Sequence, residues 1–353
     1  MTFQIGGHEV GLDSPPLFIA DIAANHDGDL NRAVHLIDLA AKAGAHVAKF
    51  QHFSAETLVS DFGFRSLGGK QSHQSAWHKS VFEVYKDASI DLSWTQTLVE
   101  ACRDAGIAFM STPYSIELAD HIDPFVDAYK IGSGDINYPQ IIAHVARTGK
   151  PWLIATGAAT LEDVRAAVGA TGSNRRGVIM QCNTNYTADP ENLKFINLRV
   201  LESYKNEFPD LVLGLSDHTL GHATVLGAVA LGARVFEKHF TDDRSRLGPD
   251  HHFSMMPNDW REMVEASNQL FFAMGDGEKR VEANELDTVV LQRRSIRVSR
   301  DLAEGETLSL DMLDFLRPAP RDSIPPSLLD SVVGKKLATN LKAGEHLTWQ
   351  VLI

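Results

Sequence analysis

Eight short apolar runs recur along roughly the first two thirds of the chain, at 17–21, 46–51, 107–111, 128–131, 152–155, 178–181, 211–215 and 234–239. Between most of them, apolar residues fall at helical spacing, over 31–43, 92–105, 138–147, 161–169 and 222–231. A helix between two strands must carry the chain back across the sheet, so the strands lie parallel. Eight such units over about 250 residues predict an α/β fold, a closed (β/α)8 TIM barrel rather than an open doubly wound sheet. Ahead of the first run, Phe3-Gln4-Ile5 and His8-Glu9-Val10 flank Gly6-Gly7, the pattern of a hairpin.

Two interruptions shape the domain plan. About forty residues, 52–91, separate the second run from its helix. They hold a helix-like stretch over 74–86, with Trp77, Val81, Val84 and Tyr85. Long insertions on a barrel sit in the loops after the strands, so this one reads as a partial lid rather than decoration. From about Val289 an internal repeat appears: Leu302-Ala303-Glu304-Gly305-Glu306-Thr307-Leu308-Ser309 against Leu341-Lys342-Ala343-Gly344-Glu345-His346-Leu347-Thr348. Two Gly-Glu turns between short apolar segments predict a small, pseudo-symmetric β-rich domain. The expected plan is a barrel over 1–280, a linker over 281–288 and a C-terminal domain over 289–353.

Composition excludes several classes. With 33 Lys+Arg against 46 Asp+Glu the net charge is −13, and no basic run appears, which argues against nucleic-acid or anionic-membrane partners. No apolar stretch reaches the roughly 18 residues of a membrane span, and no secretory leader is visible. The only two cysteines, Cys102 and Cys182, form no disulfide framework. A cytoplasmic protein is expected.

Barrel chemistry is built at the C-terminal ends of the strands, and there polar residues collect: Asp21, Lys49 and Gln51, Thr112, Lys130 through Ser133 to Asp135, Thr184 to Tyr186, Ser216 to His218, and Glu237 to His239. Strand alternation puts Lys49 with Val47 and Gln51, and Glu237 with Val235 and His239. Two lysines among hydroxyls and glycine turns suit a small dianion such as a phosphate. The plainer alternative for each is an ion pair with Glu237 or Asp135. His218 and His239 end adjacent strands, close enough to share a metal, with Glu237 and Asp250 nearby; singly, each would be a hydrogen-bonded core histidine. Two protein nitrogens leave the other positions to water or substrate, which suits a Lewis acid. Gly248-Pro249-Asp250 is a rigid turn that aims a carboxylate at the same mouth.

Taken together, Asn25-His26-Asp27-Gly28, Lys49-Phe50-Gln51, Ser111-Thr112-Pro113, Tyr129-Lys130-Ile131-Gly132-Ser133-Gly134, Gly214-Leu215-Ser216-Asp217-His218-Thr219, Glu237-Lys238-His239-Phe240-Thr241 and Gly248-Pro249-Asp250 resemble the sialic acid (N-acetylneuraminate) synthase family. The C-terminal repeat resembles that family's SAF, or antifreeze-like, domain. The resemblance implies condensation of phosphoenolpyruvate with an N-acylated hexosamine, N-acetylmannosamine or a related aldose, giving a nonulosonic acid and phosphate. It implies a divalent cation on His218 and His239, manganese first, with magnesium or cobalt as alternatives. Lys49, Thr112, Lys130, Ser133, Thr184 and Ser216 would bind phosphoenolpyruvate, with Asn183 or Asn185 as alternatives to Thr184. Gln51, Asp135, Tyr186 and Asp250 would face the sugar, and Asp21, Lys49, Lys130, Asp135 and Glu237 would carry the catalysis. The family's domain-swapped homodimer would bring Arg317 in from the partner subunit.

Asp21 and Asp135 stand where the family usually carries Glu, and Ala155 where it often carries Ser, so the acceptor sugar is left open among sialic, legionaminic and pseudaminic types. Two other readings compete: a Schiff-base aldolase using Lys49, Lys130 or Lys238, and a non-catalytic sugar-binding protein with a dead barrel.

Overall fold

The protein is described from a computed structural model that covers residues 2–67, 74 and 77–353. Two compact units divide the chain, Met1–Gly275 and Asp276–Ile353.

The first unit opens with an antiparallel hairpin, β1 (Phe3–Ile5) and β2 (His8–Val10). The eight expected runs then form parallel strands: β3 (Leu17–Asp21), β4 (Val47–His52), β5 (Ala108–Pro113), β6 (Tyr129–Ile131), β7 (Trp152–Ala155), β8 (Gly177–Cys182), β9 (Val212–Asp217) and β10 (Val235–His239). β10 pairs with both β9 and β3 and closes the barrel. Around it run α1 (Leu30–Lys42), the insertion's α2 (Ala55–Leu58), α3 (Asp61–Ser66) and α4 (Val81–Ala88), then α5 (Thr95–Ala105), α6 (Ile116–Ile122), α7 (Pro139–Arg147), α8 (Leu161–Ala170), α9 (Val200–Glu207), α10 (Ala223–Ala230) and α11 (Pro257–Met274). The helix expected at 74–86 is therefore shifted: Ser80 caps α4 through a capping box with Glu83. Residues 75 and 76 of the expected stretch lie outside the described residues.

Strand alternation divides the core in two. Phe18, Phe50, Tyr129, Trp152 and Phe236 point outward and pack under the helices. Leu17, Ile19, Val47, Met110, Leu153 and Val235 point inward, and Phe3, Ile5 and Val10 of the hairpin plug that inner column from below. Each such side chain contributes about 1.5–3 kcal/mol by leaving water. The hairpin seats closely because residue 6 is glycine: a Cβ there would lie 2.2 Å from that of Ala108, at a φ of +57°.

In the second unit the stretch expected as linker carries a helix, α12 (Leu286–Gln292). β11 (Ser295–Val298) and β12 (Leu313–Leu316) pair antiparallel. The repeat is real in three dimensions. Leu302 and Leu341 exchange backbone hydrogen bonds of 2.9 and 3.0 Å. In each copy the turn glutamate takes a backbone N–H at 2.8 Å, Glu306 from Ala303 and Glu345 from Lys342. Leu308 and Leu347 fill one common core.

Three histidines of the first unit, buried His26 and His52 and half-buried His46, have pKa values pushed down to about 4, chiefly by desolvation. His26 and His46 each use Nδ1 to accept a backbone N–H, from Gly28 and Phe18, so a proton there also breaks a hydrogen bond. The unfolded chain takes up those protons near pH 6.5 and the folded chain only near 4, so stability is lost as pH falls between the two. Denaturant titrations at pH 7 and pH 5 should differ by on the order of 1–2 kcal/mol per histidine. His46→Gln should remove roughly a third of that slope; an unchanged slope would clear His46.

Candidate active site

Above the inner apolar column the inward positions turn polar. Asp21 and Lys49 are register partners on β3 and β4, and His239 is the partner of Asp21 on β10. Lys49 donates to Asp21 at 2.7 Å and lies 3.4 Å from Thr112 Oγ1 and 3.8 Å from Glu237. Lys130, reaching across from β6, donates to Glu237 at 2.8 Å, and Ser216 donates to the same oxygen at 3.2 Å. Gln51 donates to Asp21 at 3.1 Å. The ion pair between Lys130 and Glu237 is the plainer alternative raised above, and it forms; the nearest acid to Lys49 is Asp21. Burial pushes the Asp21 carboxyl up, but Lys49, His239 and Lys130 together outweigh it and hold the pKa below the ordinary value. Burial likewise pulls Lys49 down, and Asp21 with Glu237 more than restores it, so this ammonium stays charged.

Beside this layer three strand ends meet. Gly157, after β7, donates its N–H to Ser133 Oγ at 2.9 Å. A Cβ on Gly157 would lie 2.5 Å from Thr184 and 2.9 Å from Ser133 Oγ, so no other residue fits. Asn183 and Asn185 are engaged within their own loop, which leaves Thr184 as the member of that trio packed against Gly157. Sequence reasoning passed over Gly157; its signal was the glycine two residues after Ala155 at a strand end.

His218 and His239 come together, with ring centroids 5.4 Å apart. Phe253, also passed over, wedges behind both at 5.9 and 5.0 Å, and Tyr186 stacks edge-on against His218 at 4.4 Å. Burial drives the His239 pKa down to about 3, so its ring is neutral, and its buried Nδ1 lacks a hydrogen-bond partner among the described residues. His218 points Nδ1 at the Asn183 carbonyl, 2.9 Å away, which orients the ring. Burial works against its charged form, but Cys182 and that carbonyl raise its pKa, so a cation there competes with a proton. A neutral buried ring with an idle nitrogen, beside a second oriented ring, fits a two-nitrogen metal site. Among the described residues no group of three or more His, Cys, Asp or Glu is arranged to hold a metal ion, so the remaining ligands would be exogenous.

The outer side is built from loops. Asp250 lies 3.8 Å from His239 Nδ1 and accepts the Ala24 N–H at 3.2 Å. Asp135 has a buried oxygen without a partner among the described residues. Burial raises both carboxyls to about 6. Phe53 sits between Tyr85 of α4 and Tyr114, at 5.5 and 5.7 Å. Burial, and then the charges of Asp250 and Asp135, raise the Tyr85 phenol, so the insertion does reach the mouth. A cavity of about 1430 Å³ opens there, lined by Trp77 and Val84 on the insertion side and by Tyr186, Arg246 and Pro249 opposite. Lys238 turns outward on β10 and is held by Asp217 at 2.5 Å and the Thr219 carbonyl at 2.6 Å. Arg317 belongs to the second unit, exposed just after β12.

Comparison with known proteins agrees with this geometry. Residues 36–279 match the NeuB family and residues 293–352 the SAF domain. An N,N′-diacetyllegionaminic acid synthase of Legionella pneumophila is 35% identical, over 94% of this chain and 93% of that protein. A pseudaminic acid synthase of Campylobacter jejuni is 32% identical over 98% of each. The crystal structure of the N-acetylneuraminic acid synthetase of Leptospira borgpetersenii, solved with citrate, superposes with a TM-score of 0.71 at 25% identity, covering 82% of this chain and 95% of that one. With the barrel, the polar layer at its mouth and these full-length likenesses in hand, the chain is an enzyme of the NeuB family, carrying a C-terminal SAF domain.

Proposed function

We propose that this protein condenses phosphoenolpyruvate with the open-chain aldehyde of an N-acylated hexosamine, releasing phosphate and a nonulosonic acid. The observation that carries the reading is the convergence, at one barrel mouth, of two lysines, four hydroxyl-bearing strand ends and a histidine pair. The donor would lie over Lys49 and Lys130, with Thr112, Ser133, Thr184 and Ser216 as directed hydrogen-bond donors. An ammonium has three N–H groups, so one carboxylate partner on each lysine leaves donors for phosphate. The layer is close to neutral, two lysines against Asp21 and Glu237, so a dianion adds uncompensated charge. A divalent cation at His218 and His239 would offset it and, as a Lewis acid, would polarise the acceptor carbonyl.

This chain's own residues would do the rest. Lys49 and Lys130 would orient the donor so that its enol carbon meets the aldehyde, forming one C–C bond. Water would add to the resulting cationic carbon, and phosphate would leave by C–O cleavage. Asp21, Glu237 and Asp135 would serve as proton carriers, with Asp135 the one raised toward neutral pH. Gln51, Asp135, Tyr186 and Asp250 would face the sugar. A domain-swapped homodimer placing the partner's copy of Arg317 over the site, a manganese preference, a cytoplasmic location and a linker over 281–288 between a 1–280 barrel and a 289–353 domain belong to the same proposal. The Schiff-base alternative is disfavoured: such a lysine needs a lowered pKa, whereas that of Lys49 is raised and Lys238 faces away from the mouth.

A panel of N-acylated hexosamines with phosphoenolpyruvate, scored for phosphate release with and without EDTA, tests the reading; no metal-dependent release with any acceptor would end it. His218→Ala and His239→Ala should each lower kcat at least about 100-fold with the fold intact by circular dichroism. Full activity of either at high metal would take that histidine out of the ligand set. Lys130→Ala should raise the KM for phosphoenolpyruvate about tenfold or more, leave the sugar KM within about twofold, and cost roughly 3 kcal/mol of stability by stranding Glu237. Equal effects on both substrates would contradict the cradle. Arg317→Ala should cut activity although it lies in the second unit; wild-type kinetics would remove it from the site.

A further inference from the structure

Asp27 lies in the turn between β3 and α1, outside the polar layer, and its carboxylate gathers donors from two directions. Arg246 grips one oxygen through Nε at 2.8 Å and Nη2 at 2.7 Å. His251 Nε2 meets the other oxygen at 2.8 Å, while Arg32 Nε, which donates to the Asn25 carbonyl, adds its charge 3.1 Å from the oxygen that Arg246 holds. Arg246 and His251 flank Asp250 in one loop. His251 is fully buried, and its Nδ1 meets Thr241 just past β10 at 2.8 Å, so the ring bridges Asp27 to the barrel. Gly248 lets the loop close on the same point: a Cβ there would lie 2.7 Å from the His251 ring and 3.6 Å from Asp27 Oδ1. The turn that carries Asp27 also supplies the Ala24 N–H to Asp250. Asp27 itself sits at φ +55°, which Asp and Asn tolerate better than most residues.

A single exposed ion pair is worth little. Here, though, one carboxylate, largely shielded, receives an arginine through its Nε/Nη2 edge and a buried imidazole from the same loop, with a second arginine behind. Cutting that node frees both flanks of Asp250 at once. The catalytic lysines, by contrast, stand on strands and make no contact with it.

We infer that Asp27 is a positioning residue: it ties the 244–252 loop to the barrel mouth and so sets Asp250 over the histidine pair, making acceptor binding depend on it and donor binding not. This rests on the proposed reading of Asp250 as facing the acceptor.

The test uses Asp27→Asn, which keeps the shape and the left-handed backbone but sets an NH2 against three donors. In the full chain, amide hydrogen exchange within 244–252 should speed up about tenfold or more, with the barrel strands unchanged. The acceptor KM should rise about tenfold, with the phosphoenolpyruvate KM within about twofold. Asp27→Glu, which restores the charge on a longer arm, should recover part of the protection. Should Asp27→Asn fold poorly, Arg246→Gln removes one arm only and should quicken exchange severalfold at the Arg246 end of the loop. Wild-type exchange in both variants would overturn the inference, as would a parallel rise in both Michaelis constants. Exchange needs no substrate, so an enzyme inactive on every acceptor would sink the proposed function while leaving the anchor to be judged on exchange alone.

Discussion

Two lysines and two carboxylates, buried side by side on top of an apolar column, are the arrangement on which the rest depends. Each of these charges would be ruinous alone inside a barrel, because burial strips most of its hydration and the Coulomb gain must come from protein. Asp21, Lys49, Glu237 and Lys130 solve this in pairs. Their pairing ties neighbouring β3 to β4 and, across the cylinder, β6 to β10, so the charge layer also braces the closed sheet. Such a layer is neutral at rest, which makes it a poor anion site by itself and a good one in the company of a cation.

The two sides of the mouth are built from different materials. On the proposed donor side, side chains stand on strands or within a residue or two of them, and close glycine contacts at Gly157 set their spacing. On the proposed acceptor side, Asp250, Tyr186, Tyr85 and Asp135 stand on loops, a short insertion helix and a 3-10 turn. Rigid strands hold reacting atoms to a fraction of an ångström, whereas loops change shape and composition without disturbing the barrel. In this division a common reaction and a variable acceptor can coexist on one scaffold.

Much of the fold was legible. The run-and-helix rhythm identified all eight barrel strands, because parallel strands buried on both faces must be apolar throughout. Alternation correctly put Lys49 and Glu237 inward and grouped His239 with Glu237. Pairing of the C-terminal repeat through Leu302 and Leu341 could be anticipated from matching turns. The helix at 74–86 was misplaced because Ser80 with Glu83 provides a stronger start than any residue before it. Lys238 shows the limit of a motif: it stands between two inward residues, so alternation alone turns it away from the mouth, toward Asp217.

What the linear order of residues determined by itself was local: periodicity, caps, glycine turns, and which residue types end each strand. These depend on neighbours a few positions apart. Which carboxylate each lysine meets, how far apart the imidazoles stand, that Gly157 seals three strand ends, and that Asp27 holds a loop more than two hundred positions away were decided only by closure of the barrel. Closure brings β10 back against β3 at one register, and the distances between side chains contributed by both follow from that register rather than from any stretch of sequence.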